Sequence, residues 1–329
     1  MSNLIPTGNA VVLTSDTHSD VKIVISVNLA SVKSINPPWK RSHYRASINW
    51  LTKYQAHSDT SNLEKVRGYL EAFHHLCQVE EWVAAGTIRI IRLNTPAREE
   101  LHNQLGLWGY HREVIDLDNA LLNKLGLKFD IFLLKEIGNT YQKLGQYQQA
   151  IEFFQQAQEI NQEVGDRSFE ANSLLNLGNA YYALGEVQRG IQFYQESLEI
   201  MREIDDRPGE GHCLCALGNI YRSLGKVDDA IPLLEKALKI ARESGDRSFE
   251  AIALVNLGAD YDALGQHQQA IECHQQSLEI RQEREDRWGE GNSLGNLGNA
   301  YRALGQVEKA IELHQKRLET TREIGDCQG

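Results

Sequence analysis

Between residues 127 and 326 the chain repeats one arrangement of apolar and polar positions. Leu174, Leu177, Tyr181 and Leu184 fall at the three- and four-residue intervals of one helical face, and Val187, Ile191, Tyr194, Leu198 and Met201 fall on a second. The spacing predicts two helices. The pair then recurs: LGNAYYALG at Leu177 returns as LGNIYRSLG at Leu217, LGADYDALG at Leu257 and LGNAYRALG at Leu297, with a looser IGNTYQKLG at Ile137. The segments 127–166, 167–206, 207–246, 247–286 and 287–326 align without an insertion or deletion. A fixed period of this size marks a solenoid, in which each unit buries its apolar face against its neighbours.

The punctuation agrees with helix pairs. Gly185 is placed to turn the chain after the first helix, Gly165 and Gly245 to end the second, and Asp166, Asp206, Asp246 and Asp286 to cap the helix that follows. Pro208 falls at a helix start, and Pro232 is expected in the first turn of a second helix. Gly138, Gly178, Gly218, Gly258 and Gly298 form one column, and Ala150, Gly190, Ala230, Ala270 and Ala310 another. Glycine in mid-helix costs about 1 kcal/mol relative to alanine, so its return in every unit predicts a close helix approach there. His274 and His314 share a column with Phe154, Tyr194 and Leu234, and so read as packed side chains.

A small residue after leucine, an aromatic three positions on, then Leu-Gly, then Ala-Ile resembles the tetratricopeptide repeat. The 40-residue period is similar to the longer-helix repeats of Pins/LGN-type regulators, rapsyn and kinesin light chains, and the phrasing of Glu290 to Tyr301 also resembles the repeat arms of bacterial STAND-type signalling NTPases. The resemblance implies an all-α fold, a right-handed α-solenoid of antiparallel helix pairs with the first helices lining a concave groove. A STAND protein carries an ATPase, yet no G-x-x-x-x-G-K-[ST] is present; the one Gly-Lys pair, Gly225-Lys226, is followed by Val227.

Asparagines form the candidate site. Asn139, Asn179, Asn219 and Asn299 make one column, with Asn176, Asn256 and Asn296 three residues earlier in their repeats; Tyr182, Arg222 and Arg302 stand three residues after the main column. A carboxamide offers one acceptor and two donors, so a row of them can pair with the backbone of an extended peptide. The Pins/LGN-type resemblance implies that role for Asn139, Asn179, Asn219 and Asn299. The other reading is that these side chains bond within or between helices and fix the stacking. The fourth unit departs from the pattern, with Ala259 and Asp260.

Composition narrows the remaining classes. The 329 residues carry a formal charge of −11, divided as +1 over residues 1–126 and −12 over 127–329, which disfavours nucleic acid and anionic lipid as partners. There is no apolar run of about 18 residues and no basic, apolar start, so the expected location is cytoplasmic. Five cysteines without a C-x-x-C predict neither disulfides nor structural zinc, and His74, His75 and Cys77 lack a second ligand pair. No metal, cofactor or catalytic residue is expected. The chain reads as a non-enzymatic scaffold for a protein or peptide partner; the alternative is a sensor or autoinhibitory arm of a STAND-type signalling system, acting in trans or as a truncated relative.

The flanks are less regular. Residues 61–126 read as a degenerate helical repeat or N-terminal cap: in LGLWGYHREVIDLDNALLNKLG, Tyr110, Val114, Ile115 and Leu117 can be laid on Tyr147, Ala150, Ile151 and Phe153. Residues 1–60 stay unclassified, with a partly disordered tail expected. Val21 to Val27 has the makings of a strand, Pro37-Pro38 is expected to break the chain, and Trp39, Lys40, Arg41, Arg45 and Trp50 form a small basic and aromatic patch. After the second helix of the fifth unit comes Gly325-Asp326-Cys327, phrased like the opening of another unit, so the apolar face around Ile311, His314 and Leu318 is expected to be incompletely covered: either it self-associates, or the chain is a truncated relative of a longer protein.

Overall fold

The computed structural model describes residues 4–7, 10–13, 23–28, 31–57, 59–93, 95 and 98–328. They are predominantly helical and divide into two compact units, Met1–Gly165 and Asp166–Gly329.

The first unit opens with a small antiparallel sheet in the order β1-β2-β3: Leu4–Thr7, Ala10–Leu13 and Ile23–Asn28, with Leu4 opposite Leu13 and Val12 opposite Val24. The strand expected over Val21 to Val27 overlaps β3; residues 21 and 22 lie outside the described residues. The prolines that were expected to break the chain start a helix instead: Pro38 is the first residue of α1, Pro38–Lys53. A proline at that position loses no intrahelical bond, and its fixed φ suits the helix. Helices α2 (Asn62–Gln78), α3 (Trp82–Arg89), α4 (Leu101–Leu107), α5 (His111–Leu121), α6 (Leu127–Lys143) and α7 (Tyr147–Val164) follow. Ser61 caps α2 by accepting the Glu64 N–H at 3.3 Å. Phe73, Leu76, Ile88, Leu101, Leu105 and Leu121 belong to a contiguous core, beside which Arg89 and Asp118 form a fully buried ion pair.

The second unit is four helix pairs in strict phase: α8 (Arg167–Ala183) with α9 (Val187–Glu203), α10 (Arg207–Ser223) with α11 (Val227–Ser244), α12 (Arg247–Ala263) with α13 (His267–Glu283), and α14 (Arg287–Ala303) with α15 (Val307–Gln328). Each second helix packs on the next first helix, and successive first helices approach one another. This is an α-solenoid.

Local chemistry explains the phase. Asp166, Asp206, Asp246 and Asp286 each accept the backbone N–H three residues on, at 2.9–3.0 Å. Gly185 takes φ +84°, a left-handed conformation that lets the chain reverse without strain. Between the paired helices the glycine column lies against a large side chain sixteen residues on: a Cβ added at Gly178 would meet the Tyr194 ring at 2.8 Å, at Gly218 the Leu234 side chain at 2.8 Å, and at Gly258 the His274 ring at 2.6 Å. The close approach predicted for this column is therefore real, and His274 packs as expected. Pro232 is a correction. It is the sixth residue of α11, beyond the first turn, and removes the bond that a donor there would give to the Asp228 carbonyl; the residue is exposed, where water can serve that carbonyl.

Charged clamps tie one repeat to the next. Glu250, buried near the start of α12, accepts Arg242 Nε of α11 at 2.9 Å and Arg247 Nη1 at 2.7 Å, and Arg247 reaches on to Glu283 of α13 at 2.8 Å. Burial pushes the Glu250 carboxyl up, but the two guanidinium groups outweigh it and hold it below the usual carboxylate range. Glu210 is held the same way by Arg202 and Arg207.

Candidate functional site

The candidate residues sit on the first helices. In the first unit Asn139 is half-buried on α6, where its amide donates to Glu136 Oε1 at 3.4 Å. In the second unit Asn179 and Asn299 are exposed on α8 and α14, while Asn219 is half-buried on α10. Asn176, Asn256 and Asn296 are half-buried on α8, α12 and α14; Tyr182 is half-buried against the core, and Arg302 is exposed.

Several of these side chains already have partners. Asn179 Oδ1 accepts the Tyr194 hydroxyl at 2.5 Å, from the second helix of its own repeat. Arg222 lies at the centre of a larger network. Its Nη2 donates to Asn219 Oδ1 at 2.9 Å and Asn256 Oδ1 at 3.4 Å, and its Nη1 to the Asn256 carbonyl at 3.0 Å and Asp260 Oδ1 at 3.1 Å. Asn256 in turn donates to Cys215 Sγ at 3.3 Å. One arginine of α10 thus clamps α12, the next first helix.

The departure in the fourth repeat acquires a physical reason. Asp260 replaces the apolar Ala180, Ile220 and Ala300 of its column and is fully buried. Burial raises its carboxyl above the ordinary value, and the Arg222 charge and hydrogen bond oppose that rise. Its Oδ2 has no partner among the described residues. Ala259 stands where the other repeats place asparagine, so the carboxamide column of the second unit is interrupted between Asn219 and Asn299.

Sequence reasoning missed a second cluster beside it. Asp262 receives His267 Nδ1 at 3.0 Å and lies 3.5 Å from His274 Nε2. His274 is almost completely buried, and burial lowers its pKa against the attraction of Asp262. The signal was present in the sequence: the fourth repeat gains Asp262 and His267 together, five residues apart, where the second and third have Tyr182 with Val187 and Arg222 with Val227.

Among the described residues, no group of three or more His, Cys, Asp or Glu side chains is placed to hold a metal ion. His75 of α2 instead faces His43 of α1, Nδ1 to Nδ1 at 3.0 Å. Cys77, Cys213, Cys215 and Cys273 are free, and burial pushes the Cys213 thiol up to about 11, away from nucleophilic chemistry. No described helix is long and apolar enough to cross a membrane.

A solenoid of capped, glycine-packed helix pairs defines a helical repeat protein. The chain belongs to the tetratricopeptide repeat family, whose pattern matches residues 130–189, 169–243 and 245–323. No curated protein matches it. Among solved structures it is similar to a putative kinesin light chain with nearly identical TPR-like repeats from Podosopora anserina, at 24% identity over 60% of this chain and 96% of that one, TM-score 0.51. It is also similar to a Rap protein complexed with competence and sporulation factor, at 19% identity over 80% and 78% of the two chains, TM-score 0.57. A third is the STAND protein with a tetratricopeptide repeat sensor from Pyrococcus horikoshii, at 18% identity over 85% of this chain and 46% of that one, TM-score 0.56. At these identities the likeness is one of fold.

Proposed function

We propose that this chain is a non-catalytic scaffold whose first-helix face binds an extended peptide or a helix of another protein. The observation that carries the reading is the exposure of Asn179 and Asn299, with Arg302 beside the latter, on helices that the packing holds rigid. Carboxamides fixed on a rigid row can pair with a partner's backbone, and the neighbouring Tyr182 and Arg302 then bias the choice of side chain. The Rap neighbour, solved with a bound factor, lends support by fold. A second reading, a sensor or autoinhibitory arm serving a STAND-type ATPase in trans, draws on the likeness to the archaeal sensor protein.

The test is affinity capture from cell extract with the full chain and with an Asn179→Ala/Asn299→Ala variant, after circular dichroism shows both folded. A partner held by the parent and lost by the variant supports groove binding. A partner held equally by both counts against it. Recovery of a P-loop ATPase as that partner favours the sensor reading.

A further inference from the structure

The last helix differs from the second helices before it. Leu198, Leu238 and Leu278, on α9, α11 and α13, are 7–8% exposed beneath the next first helix, whereas their counterpart Leu318 on α15 is 59% exposed. Ile271 is 6% exposed and its counterpart Ile311 is 53% exposed; Val307 is half exposed as well. Val307, Ile311, His314, Leu318 and Thr321 alternate at four- and three-residue steps, the spacing of a helix–helix seam.

What can cover this seam is constrained by Arg317. Its column holds Ser197, Ala237 and Ser277, all completely buried, because the next first helix comes close there: Ser197 Oγ lies 3.3 Å from Cys213 Sγ, and Ser277 Oγ lies 3.2 Å from Ser293 Oγ. Arg317 is too large for that contact. It turns back over Gly295 of α14, where a Cβ would meet its Nη1 at 2.8 Å, and Gly295 itself stands in the column of Leu175, Cys215 and Val255. Arginine and glycine have changed together, and the pair obstructs a further first helix stacked in the internal manner.

The charges along α15 select a different occupant. Glu308 flanks the seam near its start and Arg322 flanks it on the same side, near its end; both are exposed. Two parallel copies of α15 would leave Glu308 and Arg322 at opposite ends of the seam, unpaired with each other. An antiparallel pair related by a two-fold axis brings the Ile311 end of one helix to the Leu318 end of the other and sets Glu308 beside Arg322 of the second copy, twice. The same arginine column already does this work inside the chain, where Arg202 and Arg242 close on Glu210 and Glu250 of the next helix at 2.8 and 2.9 Å. We infer that α15 is a homodimer interface, with two copies of this chain meeting antiparallel through Val307, Ile311, Leu318 and the Glu308–Arg322 pairs.

The experiment is sedimentation of the full chain from low to high micromolar concentration, beside Leu318→Glu, Glu308→Arg, Arg322→Glu and the double reversal Glu308→Arg/Arg322→Glu. All these side chains are exposed, so circular dichroism should show each variant as helical as the parent, and thermal melts should agree at concentrations too low for the parent to dimerise. The parent is expected to dimerise. Leu318→Glu and each single reversal should raise the dimer Kd by roughly tenfold or more, and the double reversal should restore it, because it rebuilds the opposite-charge pairs with the signs exchanged. A parent that stays monomeric overturns the proposal, as does a dimer indifferent to Leu318→Glu. A dimer broken by both single reversals and not restored by the double overturns the antiparallel arrangement.

Discussion

Arg222 on α10 sets a guanidinium nitrogen 3.1 Å from the carboxylate of Asp260, a fully buried residue of α12 one repeat away. Removing one partner of a buried pair strands the other charge, which typically costs about 3–5 kcal/mol. Arg222 is partly exposed, so Arg222→Ala is expected at the low end of that range. Removing both partners should cost less, because Ala180 and Ala300 show that alanine fits the Asp260 column. Urea denaturation of Arg222→Ala, Asp260→Ala and the double variant checks this. A double variant as damaged as the sum of the singles would mean that the pair is not coupled.

The hydrogen bond from Tyr194 to Asn179 makes a second cycle. Tyr194→Phe and Asn179→Ala each break it and should each cost on the order of 1 kcal/mol. The pair together should lose little more than either alone, a coupling visible in denaturation midpoints. Asn299→Ala, on an exposed side chain, should leave stability within about 0.5 kcal/mol of the parent. Such a contrast separates what the asparagines do for packing from what they do for a partner.

The same substitution should have opposite signs at two helical glycines. Gly178→Ala drives a Cβ to 2.8 Å from the Tyr194 ring, and such overpacking typically costs about 1–3 kcal/mol. Gly291 on α14 has nothing within 4 Å of an added Cβ, so Gly291→Ala should stabilise by about 0.5–1 kcal/mol through the helix preference of alanine. Thermal melts of the two variants give the answer.

The helix pairs of the second unit were legible because each carries its own local signals: an aspartate capping its first helix, three-and-four apolar faces and a glycine at the turn between its helices. Arg222 could be assigned to the first-helix face but not to its partners, since Asp260 lies 38 residues away and only stacking brings the two together. That face was legible as a column of asparagines, but not which of their atoms are already engaged: Tyr194 takes the side-chain oxygen of the exposed Asn179, and Arg222 takes those of Asn219 and Asn256. At the N-terminus the difficulty was length. LIPT and AVVL, the four-residue strands β1 and β2, are too short to show an alternation, while the six residues of β3 were partly anticipated. Pro37-Pro38 signals a boundary in either direction, and only the helix that follows shows it to be a start.

Acid should act on the first unit through His102. This side chain is 7% exposed on α4, and its ring Nδ1 lies 3.2 Å from the Arg89 carbonyl, to which it can donate. Burial, and after it the positive charge of Arg89, lower its pKa to about 4, although the carbonyl contact favours the protonated form. The ordinary value is near 6.5. Between those limits the unfolded chain binds the proton and the folded chain does not, so the stability tied to neutral His102 is complete above pH 6.5 and is lost as pH falls toward 4. A shift of this size corresponds to about 3 kcal/mol across the window. Glu100 Oε2 lies 3.6 Å from the same ring nitrogen. Urea denaturation at pH 7 and pH 4.5, followed by tryptophan fluorescence, should show a larger acid loss in the parent than in His102→Gln, which keeps a donor but cannot titrate. Equal losses in the two proteins would place the acid sensitivity on other groups.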